Sequence, residues 1–169
     1  MVLQQIDAGV ARRLFENRAA VTTASALIDR FMDARQSVYQ TLGAEIIILD
    51  HSDNAAVKVL DSQMIDCLDR LVSNAVKFSP KDKKVEIQIY VVEKEVCIDI
   101  RDRGIGLNPD KLDEAIDIFG QIDRERLEQQ GGGLGLPIAS HYAAICGGRL
   151  EFEARAGGGS IVSIVLPLA

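Results

Sequence analysis

Asp66, Arg70, Asn74 and Lys77 are separated by four, four and three positions, the interval that gathers side chains onto one face of an α-helix. An Asn amide oxygen can ligate a metal ion, and a Lys near a helix end can neutralise a phosphate. Any solvated helix face shows the same spacing, which leaves both readings open. A second centre is Asp102-Arg103-Gly104-Ile105-Gly106. Asp102 continues the parity of Val96, Ile98 and Ile100, so its carboxylate reaches the rim of the core, where it needs hydrogen-bond donors. A bound amine can supply one, with Gly104 and Gly106 clearing the approach of a flat ligand to the backbone. An Asp in a glycine turn can equally accept from its own main chain. The third centre, Gly131-Gly132-Gly133-Leu134-Gly135, runs into a helix opened by Pro137, whose free N–H groups and positive dipole end suit phosphate oxygens. It lacks the Lys-Ser/Thr ending of a P-loop and has no closely preceding strand, as a dinucleotide fingerprint requires. A hinge reading is compatible with it, because a loop that closes over a ligand also needs hinges.

The elements that must hold these residues follow from apolar periodicity and its punctuation. Residues 2 to 8 predict a helix remnant ended by Gly9, and a short strand passes through Leu14-Phe15. Thr22 or Thr23 caps a helix with Leu27, Phe31, Val38 and Leu42 inward, closed by Gly43 before a strand from Glu45 to Leu49. Asp61 or Ser62 caps the next helix, which buries Ile65, Leu68, Leu71, Val72 and Ala75 and ends before Pro80. Val85 to Val92 and Glu95 to Arg101 form a hairpin about Glu93-Lys94, both strands alternating as half-buried strands do. A helix near Pro109 to Ile118, a polar loop, a helix from Pro137 to Cys146 and strands Leu150 to Arg155 and Ile161 to Leu166 complete the chain. This order predicts an α/β sandwich, with helices on one face of a mixed, largely antiparallel sheet.

At 169 residues the chain fits one domain. Its formal charge of -6, with no basic stripe, argues against nucleic-acid binding. Apolar runs such as Ile46-Ile47-Ile48-Leu49 are too short to span a bilayer, and the start does not resemble a signal peptide, so a cytoplasmic piece without direct membrane contact is expected. Cys67, Cys97 and Cys146 lack metal-ligand spacing and read as reduced, mostly buried thiols.

Taken together, these segments resemble the GHKL superfamily of ATPases and kinases, most closely the catalytic domain of two-component sensor histidine kinases. Leu71 through Pro80 is similar to that family's N box, Asp102 through Gly106 to its first glycine box, Ile118 through Asp123 to its F box and Gly131 through Leu136 to its second glycine box. The ending Gly147-Gly148-Arg149-Leu150, Gly157-Gly158-Gly159-Ser160 and Leu166-Pro167 follows the same pattern. The likeness runs from about residue 10 onward, with residues 1–9 resembling the end of an upstream dimerisation helix. It implies a Bergerat-type sandwich that binds ATP and Mg2+. In that reading Asp102 accepts from the adenine amino group, Asn74 holds the magnesium, and Lys77 contacts phosphate together with Gly131, Gly133, Leu134, Gly135 and Leu136. Residues 119 to 133 become a lid, with Phe119 at its base and Arg124 and Arg126 turned to the γ-phosphate.

The likeness has two gaps. Arg70 stands where histidine kinases usually have a first Asn and other branches a general-base Glu, and a guanidinium cannot act as a base at neutral pH. Arg70 then either pairs with a phosphate or forms a surface salt bridge. His51 lies in a Ser/Asp/Asn-rich loop and His141 within a helix, neither in the family's acceptor context. The implied acceptor is a histidine on a separate dimerisation and phosphotransfer domain of the parent protein, with a response-regulator receiver domain as the further partner. Two alternatives remain: a protein-serine kinase of the anti-sigma-factor type, whose N box normally differs, and a degenerate module that binds nucleotide weakly or only docks.

Overall fold

The computed structural model describes residues 8–79, 83–104 and 135–169. Its elements, in chain order, are α1 (Ala8–Arg18), β1 (Ala20–Thr23), α2 (Ala24–Thr41), β2 (Glu45–Asp50), β3 (Ala56–Val59), α3 (Asp61–Lys77), β4 (Lys84–Val92), β5 (Glu95–Arg101), α4 (Gly135–Ile145), β6 (Arg149–Ala154) and β7 (Ser160–Pro167). The helix expected near Pro109 to Ile118 lies outside the described residues, as does most of the remnant before Ala8.

Local chemistry sets most of these limits. Thr23 caps α2, its hydroxyl oxygen accepting from the Ala26 N–H at 3.1 Å. At the other end Gly43 takes φ 73°, while Gly43 N–H donates to Gln40 O and Ala44 N–H to Tyr39 O, the paired bonds of a Schellman stop. Gly147 closes α4 in the same way, with φ 79° and bonds from Gly147 to Ala144 and from Gly148 to Ala143. Helix α3 departs from expectation at its start. Its cap is Leu60, with no side-chain bond; Asp61 instead sits in the first turn, where its charge suits the helix dipole, and pairs with Arg30 at 2.6 Å.

The sheet order is β2-β4-β5-β7-β6, parallel between β2 and β4 and antiparallel elsewhere. Helix α2 lies over β2, α3 over β4 and β5, and α4 over β6 and β7, giving the expected sandwich. Strands β1 and β3 form a separate antiparallel ribbon. Helix α3 buries Met64, Cys67, Leu68, Leu71, Val72, Ala75 and Val76 against Ile87, Ile89, Ile98, Ile100 and Ile164 of the sheet. No described helix is long and apolar enough to cross a membrane. The three cysteines are free and buried, and burial pushes the Cys67 thiol up to about 12.

Several sequence expectations are corrected. Gly9 lies inside α1, and Leu14 and Phe15 are helical, because Ala11 and Phe15, four apart, turn one face to the core. The strand expected there comes five residues later, at β1. Leu27 and Phe31 of α2 are buried as expected, but Val38 and Leu42 are exposed, and Ile28 and Tyr39 complete the buried face. Strand β5 is buried on both faces: behind the sheet, Asp99 is 3% exposed and accepts from Ser163 Oγ at 2.6 Å and Tyr90 Oη at 3.2 Å.

Candidate functional site

The polar face of α3 forms as its spacing predicts, but its members do different things. Arg70 Nε donates to Asp66 Oδ2 at 2.8 Å, so the guanidinium is held along its own helix in the surface salt bridge that was one of its two readings. Asn74 is the reverse case: its Nδ2 is buried and has no hydrogen-bond partner among the described residues. An amide left so costs roughly 1–3 kcal/mol, a cost that persists in a fold only where something offsets it. Lys77 ends the helix with an exposed side chain.

Asp102 follows the last residue of β5, and the predicted parity holds: Val96, Ile98, Ile100 and Asp102 all turn to the helix side and are all buried. Both readings of this carboxylate find a counterpart in its two oxygens. Oδ1 accepts from Gly104 N–H at 2.8 Å and Ser160 N–H at 3.2 Å, which is the turn-capping role. Among the described residues nothing bonds Oδ2. Burial pushes the Asp102 carboxyl above its ordinary range, against the opposing pull of those two N–H groups and of Arg155.

Gly104 has a reason that sequence did not supply. A Cβ on it would overlap the carbonyl oxygen of Phe78, so the bare Cα lets the Asp102 turn pack against the end of α3. Gly159, at φ 98°, meets the carbonyl of Asp102 in the same manner. Between α3, β5, β7 and α4 lies a small cleft lined by Leu71, Asn74, Ala75, Phe78, Ile100, Asp102, Leu136 and Val162. The cleft brings Asn74, Asp102 and Leu136 together. It is small and apolar, with one carboxylate and one amide converging on it, the character of a site for a flat ring bearing a polar edge.

Gly135 is the first residue of α4 and Leu136 is 4% exposed. Gly106, Phe119, Arg124, Arg126, Gly131, Gly133 and Leu134 lie outside the described residues. Sequence reasoning did not single out Leu71, Ile100 and Val162 as lining a cleft, since such residues look the same in any core. It also assigned no role to Ser160 and Arg155, which bond the Asp102 main chain, or to Glu86, which holds Arg155.

Residues 60–169 match the family model described as histidine kinase-, DNA gyrase B- and HSP90-like ATPase. The histidine-protein kinase ArlS of Staphylococcus aureus is 30% identical over 115 residues, which is 68% of this chain and 26% of that protein. The chain thus spans about a quarter of the length of the curated relatives it matches. Among solved structures, the nucleotide-free catalytic domain of histidine kinase ThkA superposes with TM-score 0.74 at 17% identity, over 89% of this chain and 95% of that one. Full-length ShkA in complex with AMPPNP gives TM-score 0.73 at 21% identity, over 96% of this chain and 35% of that one.

Proposed function

The chain belongs to the histidine kinase-, DNA gyrase B- and HSP90-like ATPase family, and on that premise we propose that it binds Mg-ATP and donates the γ-phosphate to a histidine elsewhere in its parent protein. The observation that carries this reading is Asp102, a buried carboxylate with Oδ1 spent on its own turn and Oδ2 left for a ligand in an apolar cleft. An adenine amino group is a donor of the right kind for Oδ2. The AMPPNP bound by ShkA supports the ligand class.

In this reading Asn74 serves the magnesium. The amide's two ends exchange by rotation about χ2, so the buried group that lacks a partner can present either Nδ2 to a phosphate or Oδ1 to a cation. One neutral amide fits Mg2+, which keeps several waters and takes most of its remaining ligands from phosphates. Lys77, Gly131, Gly133, Leu134, Gly135 and Leu136 would contact phosphate, and Phe119, Arg124 and Arg126 would belong to the lid. With Arg70 unable to act as a base and tied to Asp66, the chain is a poor ATPase. Phosphoryl transfer rests mainly on positioning and charge neutralisation, so transfer to an external imidazole needs no base for water.

Residues 1–9 we assign to the upstream dimerisation helix and 10–169 to the catalytic domain, a boundary that falls within α1, in the cytoplasm, with a receiver domain as the further partner. The deciding experiment supplies labelled ATP to the chain alone and to the chain mixed with the helical phosphotransfer domain of its parent. Label should appear only on the added domain. Acid-labile label on the chain itself would show the acceptor misplaced. ATP binding without any transfer would favour a module that binds nucleotide without acting as a kinase.

A further inference from the structure

Asp102 stands where β5 leaves the sheet, opposite Ser160 of β7. In a regular antiparallel ladder such a pair exchanges two main-chain bonds. Here one is made, from Asp102 N–H to Ser160 O at 3.0 Å. The other is diverted, because Ser160 N–H donates to the side-chain oxygen Oδ1 instead. The Asp102 carbonyl has therefore lost its ladder donor, and Arg155 replaces it, Nη1 donating at 3.3 Å. The second arm of the guanidinium is fixed on Glu86 Oε2 at 3.1 Å, and the two side chains are only 16% and 17% exposed. Arg155 is held in place, because its own N–H donates to Gly159 O and Gly159 packs so near the same Asp102 carbonyl that a Cβ there would overlap it.

We infer that Arg155, anchored on Glu86, is a positioning residue for base recognition: it holds the Asp102 main chain so that Oδ2 stays turned into the cleft. The inference rests on reading Asp102 as the adenine-binding carboxylate. The guanidinium meets the peptide of Asp102 and not the ligand. Its loss frees the carbonyl to recover its ladder bond with Ser160, which displaces Oδ1 and swings the carboxylate.

Calorimetry of the full chain with Mg-ATP and with Mg-GTP, beside a thermal melt of each variant, tests this. The wild-type chain should prefer ATP. Arg155→Ala should weaken ATP binding about tenfold, the size expected for one charge-assisted hydrogen bond, and narrow the ATP-over-GTP preference. Arg155→Lys keeps a donor and should retain most of that preference. The exchange Glu86→Arg with Arg155→Glu restores an ion pair, so it should recover the melting temperature but not the preference, since a carboxylate at that position cannot donate to the Asp102 carbonyl. Should Arg155→Ala fail to fold, the lysine variant and the exchange decide. Full preference in Arg155→Ala, or its recovery together with Tm in the exchange, would overturn the inference. A wild-type chain that binds neither nucleotide would overturn the reading of the site, and this inference with it.

Discussion

At the scale of single residues, Asp102 separates stability from binding because its two oxygens differ in employment. Asp102→Ala strips the acceptor from two N–H groups, Gly104 and Ser160, and should cost about 2 kcal/mol or more in chemical denaturation. Asp102→Asn keeps an oxygen for those donors and removes the buried charge. A carboxyl raised above its ordinary value in the fold holds its proton more tightly there than in the unfolded chain. Its ionised form therefore costs stability at neutral pH, and the cost vanishes as pH falls through the carboxylate range. The asparagine variant should melt no lower than wild type at pH 7, with any advantage shrinking in acid, while Mg-ATP binding weakens because an amide NH2 would now oppose the amino group of adenine. A Tm deficit that persists from neutral to acid pH would contradict this. Arg70→Ala should change stability by less than about 0.5 kcal/mol, as for exposed helix pairs generally, and leave ATP binding intact; a large loss of affinity would return Arg70 to the phosphate. The Asp66–Arg70 pair was legible, since four positions on a helix is a local relation. The Glu86–Arg155 pair was not, because no local rule joins a residue of the inner strand β4 to one in the distant β6–β7 turn.

At the scale of elements, two glycines carry different burdens. Gly43 has φ 73° and nothing near its missing Cβ, so Gly43→Ala should cost only the left-handed penalty of roughly 1–2 kcal/mol. Gly104→Ala drives a methyl into the Phe78 carbonyl and should cost about 1–3 kcal/mol as overpacking, with nucleotide affinity falling because the Asp102 turn must back away from α3. Denaturation midpoints and calorimetry on both variants would check this, and an unchanged affinity in Gly104→Ala would refute the second half. Helices with strong caps or long apolar stripes, α2 and α3, were legible, as was the β4–β5 hairpin. The ribbon of β1 and β3 was not. Each strand has four residues, too few for a period to register, and their partnership links segments a whole helix and strand apart.

At the scale of the whole molecule, the fold class was readable and the strand order was not, because the parallel β2–β4 pairing is set by how α3 crosses the sheet. The four boxes were legible as an ordered set, though each alone had an ordinary explanation. Ligand linkage gives a test of the assembled site: Mg-ATP at about 100 times its Kd should stabilise the chain by about 2.7 kcal/mol, seen as a rise in Tm that Asp102→Asn largely abolishes. Strand β2 has one further consequence. It is an outer strand of the described sheet, and Ile48 and Leu49 are 37% and 39% exposed. Its free main-chain edge is a template on which a neighbouring molecule can add a strand, and Glu45 and Asp50 stand at its ends as charged guards against such aggregation. Burial works against ionisation of Asp50, but hydrogen bonds from Ser25 and Ser52 outweigh it and hold the carboxyl below its ordinary range. That guard stays charged further into acid than an ordinary aspartate would, so the edge keeps its repulsion where other surface carboxylates have begun to lose theirs.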